Sequence, residues 1–285
     1  MRNETFRPGI LKGRSAFIAG GSSGINFAIA RKLGVLGASV YLISRSAEKI
    51  TAALQDLREF GITADGCAAD VRDYDAVASA TAACHAAYGP IDIVISGAAG
   101  NFVAPAAQLS SNGFRTVVDI DLNGTFHVCR AAYEYLRKPG AAIVNISAVQ
   151  SFTPMPGQAH VCAAKAGIDA LTKVLAIEWG PEGIRVNAIA PGPVAGTEGM
   201  ARLTPTPAHV NRLLETIPLR RYADLGEISD TAAFLCSAAG SNFNGEVLVC
   251  DGGQSTLGGS GFASAWAESP PKPGLSIGDR DQSAA

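Results

Sequence analysis

Short apolar runs rich in β-branched residues alternate along this chain with segments of ten or more residues that suit helices. Strands that are apolar throughout are typical of parallel sheets covered by helices on both faces. The alternation therefore predicts an α/β fold built on a doubly wound parallel sheet, in a single domain over residues 1–261. The predicted strands are 15–19, 40–43, 66–69, 91–95, 142–146, 185–189 and 247–250, and the predicted helices are 26–36, 47–60, 76–88 and 160–179.

Two segments depart from the alternation. Residues 194–216 contain Gly196, Gly199, Pro205 and Pro207 and follow a predicted strand. Long insertions at the carboxyl end of a strand commonly cover a site, so we predict that residues 194–216 form a substrate lid. Residues 262–285 carry three prolines and no periodic pattern, which predicts an extended C-terminal tail.

Charge and cysteine content exclude several function classes. The chain has 23 basic and 25 acidic residues, a net charge of −2, so no excess of positive charge is present to bind nucleic acid. No apolar run is long enough to predict a membrane span, and the first residues do not read as a secretory signal. The six cysteines form no C-x-x-C pair, so we expect no metal site and a reducing, cytoplasmic location.

A glycine-rich loop separates the first predicted strand from the first helix. Glycines at this place permit a tight turn and let the backbone approach a pyrophosphate seated on the helix N-terminus. Asn26 occupies the position where a third glycine is usual. The loop predicts a dinucleotide site, a Rossmann fold, and cofactor contacts from Gly20, Ser22, Ser23, Gly24 and Ile25.

The end of the second strand indicates which dinucleotide is bound. An acidic residue at this place would accept hydrogen bonds from the ribose hydroxyl of NAD. The chain instead has Ser44 and Arg45, and a guanidinium pairs well with a 2′-phosphate. The predicted cofactor is therefore NADP(H).

Further motifs follow the phosphate loop in a fixed order. They are Asp70-Val71, Gly97-Ala98-Ala99-Gly100, Asn123, Asn145-Ile146-Ser147, Lys165, Pro191-Gly192-Pro193 and Asp251-Gly252-Gly253. Taken together, they resemble the motifs of the short-chain dehydrogenase/reductase family over nearly the whole chain. The resemblance implies an oxidoreductase that also contacts its cofactor through Asp70, Val71, Ala98, Gly100, Lys165, Pro191 and Gly192.

The chain departs from this family at two catalytic positions. The family's tyrosine, four residues before the lysine, is Val161 here, and its serine, 17 residues before the lysine, is Ala148. Neither side chain can donate a proton. One branch, the 2,4-dienoyl-CoA reductases, resembles the chain at 98–102, 178–181, 190–193 and 196–199. Its peroxisomal type also lacks the tyrosine and has the pattern found here at 119–126, whereas its mitochondrial type has a tyrosine at the position of Gln150.

This resemblance implies a role for each candidate residue. Asp121 would supply a proton through an ordered water, and Lys165 would bind the ribose hydroxyls of the nicotinamide. Asn123 either holds that water or the thioester oxygen, or bonds only to backbone or water. His160 either polarises the thioester or is a packed, structural histidine. The acyl-CoA site would be lined by Asn101, Phe102, Gln158 and Thr197.

Three functions stay open at this point. The first is NADPH-dependent reduction of 2,4-dienoyl-CoA to 3-enoyl-CoA, with hydride added at the δ-carbon and a proton at the α-carbon. The second is oxidoreduction of another carbonyl or hydroxyl substrate with His160 as the acid, and the third is NADP binding without catalysis. The chain does not end in the terminal address that peroxisomal enzymes need, which again favours the cytoplasm. A helix over 160–179 that is apolar nearly all round, together with the family resemblance, predicts a homodimer or homotetramer.

Overall fold

The computed structural model describes residues 6–204 and 206–259, and these residues form one parallel sheet with helices on both faces. The sheet has seven strands in the order β3-β2-β1-β4-β5-β6-β7, and each neighbouring pair runs parallel. The predicted doubly wound Rossmann fold is thus confirmed. The strands are β1 Ser15–Ala19, β2 Ser39–Ser44, β3 Ala64–Ala68, β4 Ile93–Ser96, β5 Ala142–Ile146, β6 Arg185–Pro191 and β7 Val247–Cys250.

Helices connect the strands, and their ends follow ordinary capping rules. Asp224 and Glu227 form a capping box at the start of the last helix, and Asp73 accepts backbone hydrogen bonds at the start of the third. The helices are α1 Gly24–Val35, α2 Ala47–Glu59, α3 Tyr74–Tyr88, α4 Ser111–Val118, α5 Gly124–Tyr133, α6 Ala159–Trp179, α7 Glu198–Leu203, α8 Pro207–Glu215 and α9 Leu225–Cys236.

Apolar side chains bury both faces of the sheet. One core packs α1, α2 and α9 against the sheet around Ile18, Leu42 and Val144. The other packs α3, α5 and α6 around Phe17, Val94 and Ile143. Neighbouring strand residues point to opposite faces, so strands that are apolar throughout fill both cores at once.

Residues 194–216 contain more regular structure than the sequence suggested. Thr197 caps α7, and Thr206 caps α8 with Pro207 in its first turn. Pro207 therefore starts a helix, since its fixed φ suits the first helical position. The predicted tail, residues 262–285, lies outside the described residues. Within the described ranges, no helix is long and apolar enough to cross a membrane.

Candidate active site

The glycine-rich loop turns sharply between β1 and α1. Gly20 has a φ of +73° and Gly24 a φ of +57°, and a Cβ at Gly20 would lie 2.9 Å from the Ala98 nitrogen. Ser23 stands at the N-cap of α1 and makes no side-chain capping bond. The first amides of α1 are therefore left without a side-chain cap, which is the arrangement that suits a pyrophosphate.

An open cleft of about 540 Å³ lies at the carboxyl ends of β1, β2 and β4. Ligands of doubly wound sheets bind at this edge, where the strand order reverses. Eight of the predicted cofactor residues line it: Gly20, Ser22, Ser23, Ser44, Arg45, Asp70, Val71 and Ala98. Six others lie outside its lining: Gly24, Ile25, Gly100, Lys165, Pro191 and Gly192.

Asn26 joins the phosphate loop to the loop after β4. Its Nδ2 donates a hydrogen bond of 2.7 Å to the Gly97 carbonyl oxygen, and its side chain is largely buried. A Cβ at Gly97 would lie 2.1 Å from Asn26 Oδ1. The asparagine that replaces the usual third glycine is thus accommodated by a glycine on the facing loop.

The far end of the cleft carries positive charge. Arg45 is exposed and makes no hydrogen bond or ion pair with any described residue. Ser44 Oγ beside it is buried and has no hydrogen-bond partner among the described residues. Asp70 is paired with Arg72, whose hydrogen bonds lower the pKa of that carboxyl group. A free guanidinium and an unsatisfied hydroxyl fit a 2′-phosphate.

A buried carboxylate and a buried lysine meet behind the cleft. Asp121 lies in a π-helical turn between α4 and α5, and its Oδ1 accepts a 2.7 Å hydrogen bond from the Gly100 amide. Lys165 Nζ lies 3.3 Å from Asp121 Oδ2 and donates a 2.9 Å hydrogen bond to the Ile146 carbonyl oxygen. Both side chains are at most 6% exposed, so this pair is shielded from bulk water. Irregular π turns of this kind often occur at functional sites.

His160 packs beside this pair. Its side chain is fully buried, and its ring lies 4.3 Å from the ring of Phe102, centroid to centroid. Burial lowers the pKa of His160, while the Phe102 backbone and the Asp121 carboxylate oppose that shift. Neither ring nitrogen has a hydrogen-bond partner among the described residues. The His160 ring can therefore exchange a hydrogen bond with a polar group of a ligand.

Three side-chain amides form a chain next to His160. Gln150 Nε2 donates to Gln158 Oε1 over 3.2 Å, and Gln158 Nε2 donates to Asn101 Oδ1 over 3.1 Å. This direction leaves the Asn101 amide hydrogens as the free donors at the end of the chain. Sequence reasoning found Asn101 and Gln158 but not the contribution of Gln150. The signal in the sequence was its position, where the resemblance implies a tyrosine in the mitochondrial type.

Two other predicted residues lie apart from this group. Asn123 is exposed, and its Nδ2 donates to Asp119 Oδ1 over 2.8 Å. Thr197 donates to the Val194 carbonyl oxygen and accepts from the Met200 amide, so its hydroxyl serves the start of α7. The structure therefore brings together Asp121, Lys165 and His160, and places Asn123 and Thr197 outside that set.

The position of the missing tyrosine is filled by an apolar side chain. Val161 is buried at the start of α6, and Ala148 follows β5 in an extended conformation. The acidic group next to Lys165 in this structure is the Asp121 carboxylate. Among the described residues, no cluster of three potential metal-ligating side chains occurs.

Comparisons with known proteins show which family the chain resembles. The family model described as enoyl-(acyl carrier protein) reductase matches residues 19–255. A peroxisomal 2,4-dienoyl-CoA reductase of Arabidopsis thaliana, which produces (3E)-enoyl-CoA, is 42% identical over 258 residues, 87% of this chain and 86% of that protein. A probable 2,4-dienoyl-CoA reductase of Bacillus subtilis, described as producing (2E)-enoyl-CoA, is 37% identical over 244 residues, 85% of this chain and 96% of that protein.

A solved structure gives the same fold. The gluconate 5-dehydrogenase of Burkholderia cenocepacia in complex with NADP and tartrate superposes with a TM-score of 0.82 at 32% identity. The match covers 86% of this chain and 96% of that one. The ordered motifs, the seven-stranded sheet and these matches lead to one conclusion: the chain is an oxidoreductase that belongs to the short-chain dehydrogenase/reductase family.

Proposed function

We propose that this protein reduces 2,4-dienoyl-CoA to 3-enoyl-CoA with NADPH. The observation that carries the proposal is the buried pair of Asp121 and Lys165, in a site whose tyrosine position holds Val161. The similarity to the Arabidopsis reductase over most of both chains supports the same reaction. Because that enzyme and the one from Bacillus subtilis are described with different products, the position of the product double bond is part of this proposal.

The residues of the cleft fit NADP(H). The uncapped start of α1 would hold the pyrophosphate, and Arg45 with Ser44 would hold the 2′-phosphate. Lys165 would bind the ribose hydroxyls next to the nicotinamide, which places its positive charge over the reacting atoms. When bound, the cofactor supplies a hydride for the δ-carbon of the substrate.

The residues behind the cleft stabilise charge on the substrate and deliver a proton. Negative charge gathers on the thioester oxygen as the δ-carbon is reduced, and hydrogen-bond donors aimed at that oxygen lower the barrier. Asn101 and His160 are two polar groups on this side that have hydrogen-bonding capacity left among the described residues. A bound water then gives a proton to the α-carbon and takes one from Asp121. Asp121 receives its proton from the Lys165 ammonium, 3.3 Å from its Oδ2, and an external proton restores Lys165.

The amide chain has a positioning role in this scheme. Gln150 fixes the orientation of Gln158, and Gln158 in turn fixes Asn101 with its hydrogens outward. The exposed apolar side chains of Phe102 and Val103 follow Asn101, and the Phe102 ring packs on His160, so these two side chains suit an acyl chain. We infer that residues 194–216 act as a substrate lid, since Glu198 in this segment lines the cleft.

The decisive experiment follows NADPH absorbance in the presence of a 2,4-dienoyl-CoA. We expect turnover by the wild type and a loss of about 10²- to 10⁴-fold in Asp121→Asn, the range of general acid catalysis. Binding of NADPH measured by fluorescence should change little in the same variant. Full activity of Asp121→Asn would refute the proton-transfer role.

Two results would favour the other functions. Turnover of ketones that disappears in His160→Ala, with none on dienoyl-CoA, would indicate a carbonyl oxidoreductase. Tight NADPH binding with no turnover on acyl-CoA or carbonyl substrates would indicate a protein that binds NADP without catalysis. Both outcomes are distinguishable from the proposed reaction in a single substrate panel.

Assembly and location are separate proposals. Val174 and Ile177 on α6 are 48% and 76% exposed, and a homodimer or homotetramer would cover them. Light scattering on the purified protein gives the number of subunits. A cytoplasmic location is tested by fractionating cells that express the protein, and recovery from a membrane-bound organelle would contradict it.

A further inference from the structure

An ion pair spans the mouth of the cofactor cleft. Lys49, in the first turn of α2, and Glu198, the first residue of α7, both line the cleft. Lys49 Nζ lies 3.4 Å from Glu198 Oε1, and both side chains are more than half exposed. Glu198 also lies 3.3 Å from Arg202 on its own helix. This contact links α2 to the segment 194–216. Lys49 and Glu198 are 149 residues apart in the sequence.

Lys49 belongs to the same end of the cleft as Arg45. Ser44, Arg45, Ser46 and Lys49 all line it, and they follow one another along the end of β2 and the start of α2. Ser46 Oγ is committed to the Lys49 amide as the cap of α2, whereas Ser44 Oγ is buried with no partner among the described residues. Two cations and an unsatisfied buried hydroxyl form a site for a doubly charged phosphate group.

Glu198 places a negative charge at this phosphate site. A phosphate dianion that approaches Lys49 meets the carboxylate already paired with it, and like charges at this separation repel. The Glu198 carboxylate must then break its ion pair with Lys49 or share Lys49 with the phosphate, and either change lowers the free energy gained on binding the phosphate. Arg202 can remain an ion-pair partner of Glu198 when Lys49 binds the phosphate instead.

We propose that Lys49 is a second determinant of NADP(H) specificity and that Glu198 competes with the 2′-phosphate for it. The competition sets the affinity for NADPH below what Arg45 and Lys49 would give alone, and it couples cofactor binding to α7. This inference rests on the NADP(H) part of the proposed function and goes beyond it, because it concerns two residues that the dinucleotide motifs do not include.

Equilibrium binding tests the inference without catalysis. Adenosine 2′,5′-bisphosphate and adenosine 5′-monophosphate differ only in the 2′-phosphate, and calorimetry gives both dissociation constants for each variant. Lys49→Met should weaken binding of the bisphosphate about 10- to 150-fold, the range of one charged hydrogen bond, and leave the monophosphate unchanged. Lys49→Arg should bind the bisphosphate within about twofold of wild type, since it keeps the charge.

Glu198→Gln gives the opposite result. It should tighten binding of the bisphosphate about two- to fivefold, the size of an exposed ion pair, with no effect on the monophosphate. In the Lys49→Met background the same substitution should give less than half of that gain, because the shared cation is gone. Glu48→Gln is the matched control. Glu48 lies on the same turn of α2 as Lys49 but outside the cleft lining, so this substitution removes one negative charge and leaves the Lys49–Glu198 ion pair in place.

The outcomes separate the two proposals. If wild type does not prefer the bisphosphate, the NADP(H) assignment itself is wrong. If wild type prefers it and Lys49→Met binds it equally well, the role of Lys49 is refuted while the assignment to Arg45 stands. If Glu198→Gln and Glu48→Gln tighten binding of the bisphosphate by the same factor, the change in the net charge of the protein explains the effect. The competition between Glu198 and the phosphate is then refuted.

Discussion

Substitution of Gly97 by alanine tests how the phosphate loop is held against the sheet. A Cβ at residue 97 would lie 2.1 Å from Asn26 Oδ1 and 2.7 Å from Asn26 Cγ and Nδ2, all closer than contact distance. Overpacking of this kind destabilises by about 1–3 kcal/mol. Loss of the Asn26 hydrogen bond to the Gly97 carbonyl adds about 1 kcal/mol, which the smaller entropy of an unfolded alanine roughly offsets. The expected net loss in the free energy of unfolding is therefore about 1–3 kcal/mol.

The assay is thermal unfolding of a matched set of variants. For a chain of this size the expected loss lowers Tm by roughly 2–12 °C. Asn26→Ala removes all three clashing atoms and should cost only its hydrogen bond, about 1 kcal/mol. The double variant should be no less stable than Asn26→Ala alone. Gly199→Ala is the control, because a Cβ there has nothing within 4 Å. Wild-type Tm in Gly97→Ala, or additive losses in the double variant, would refute the reasoning.

Three further predictions follow from the charges and burial around the site. Arg45→Ala should weaken NADPH binding about 10- to 100-fold without changing NADH binding, measured by cofactor fluorescence, and equal losses for both would contradict the 2′-phosphate role. Because burial lowers the pKa of His160 below 6.5, the unfolded chain takes up a proton at higher pH than the folded chain, so stability falls as pH drops through 6.5. His160→Asn should flatten that dependence in urea unfolding at several pH values, and an unchanged dependence in this variant would contradict the effect of burial on His160. Burial raises the pKa of Cys84, Cys129 and Cys236 to about 12, so a thiol reagent should label these three only after unfolding, and rapid labelling of the native protein would refute their burial.

Most of the sheet was predictable from sequence because its central strands are buried on both faces, whereas β3, Ala64–Ala68, contains the exposed Asp65 and begins two residues before the predicted strand 66–69. Ser15–Ala19 and Ala142–Ile146 match the predicted strands residue for residue. Residues 194–216 were harder, since prolines and glycines there suggested only a loop. Pro207 instead lies in the first turn of α8, and Thr206 caps that helix. Capping rules predict a helix start at this pair of residues, whereas the composition of the segment does not.

The candidate site was predictable where residue chemistry and position agree. Asp121 and Lys165 were both singled out in the sequence, and the structure adds that they form a buried ion pair, in which each charge compensates the other. Asn123 could not join them, since residues two apart on a helix point to different sides. Two contacts could not be predicted from the sequence: the hydrogen bond between Gln150 and Gln158, and the ion pair between Glu198 and Lys49. Both depend on side chains of segments that no motif connects.

The central claim is that this protein reduces the δ-carbon of a 2,4-dienoyl-CoA and protonates its α-carbon with help from Asp121. One measurement addresses it directly: turnover of a 2,4-dienoyl-CoA with unlabelled NADPH in D₂O, followed by mass and NMR analysis of the product. We predict a 3-enoyl-CoA with a single deuterium at the α-carbon and unlabelled hydrogen at the δ-carbon. A 2-enoyl-CoA with deuterium at the γ-carbon, or NADPH left unconsumed, would contradict it.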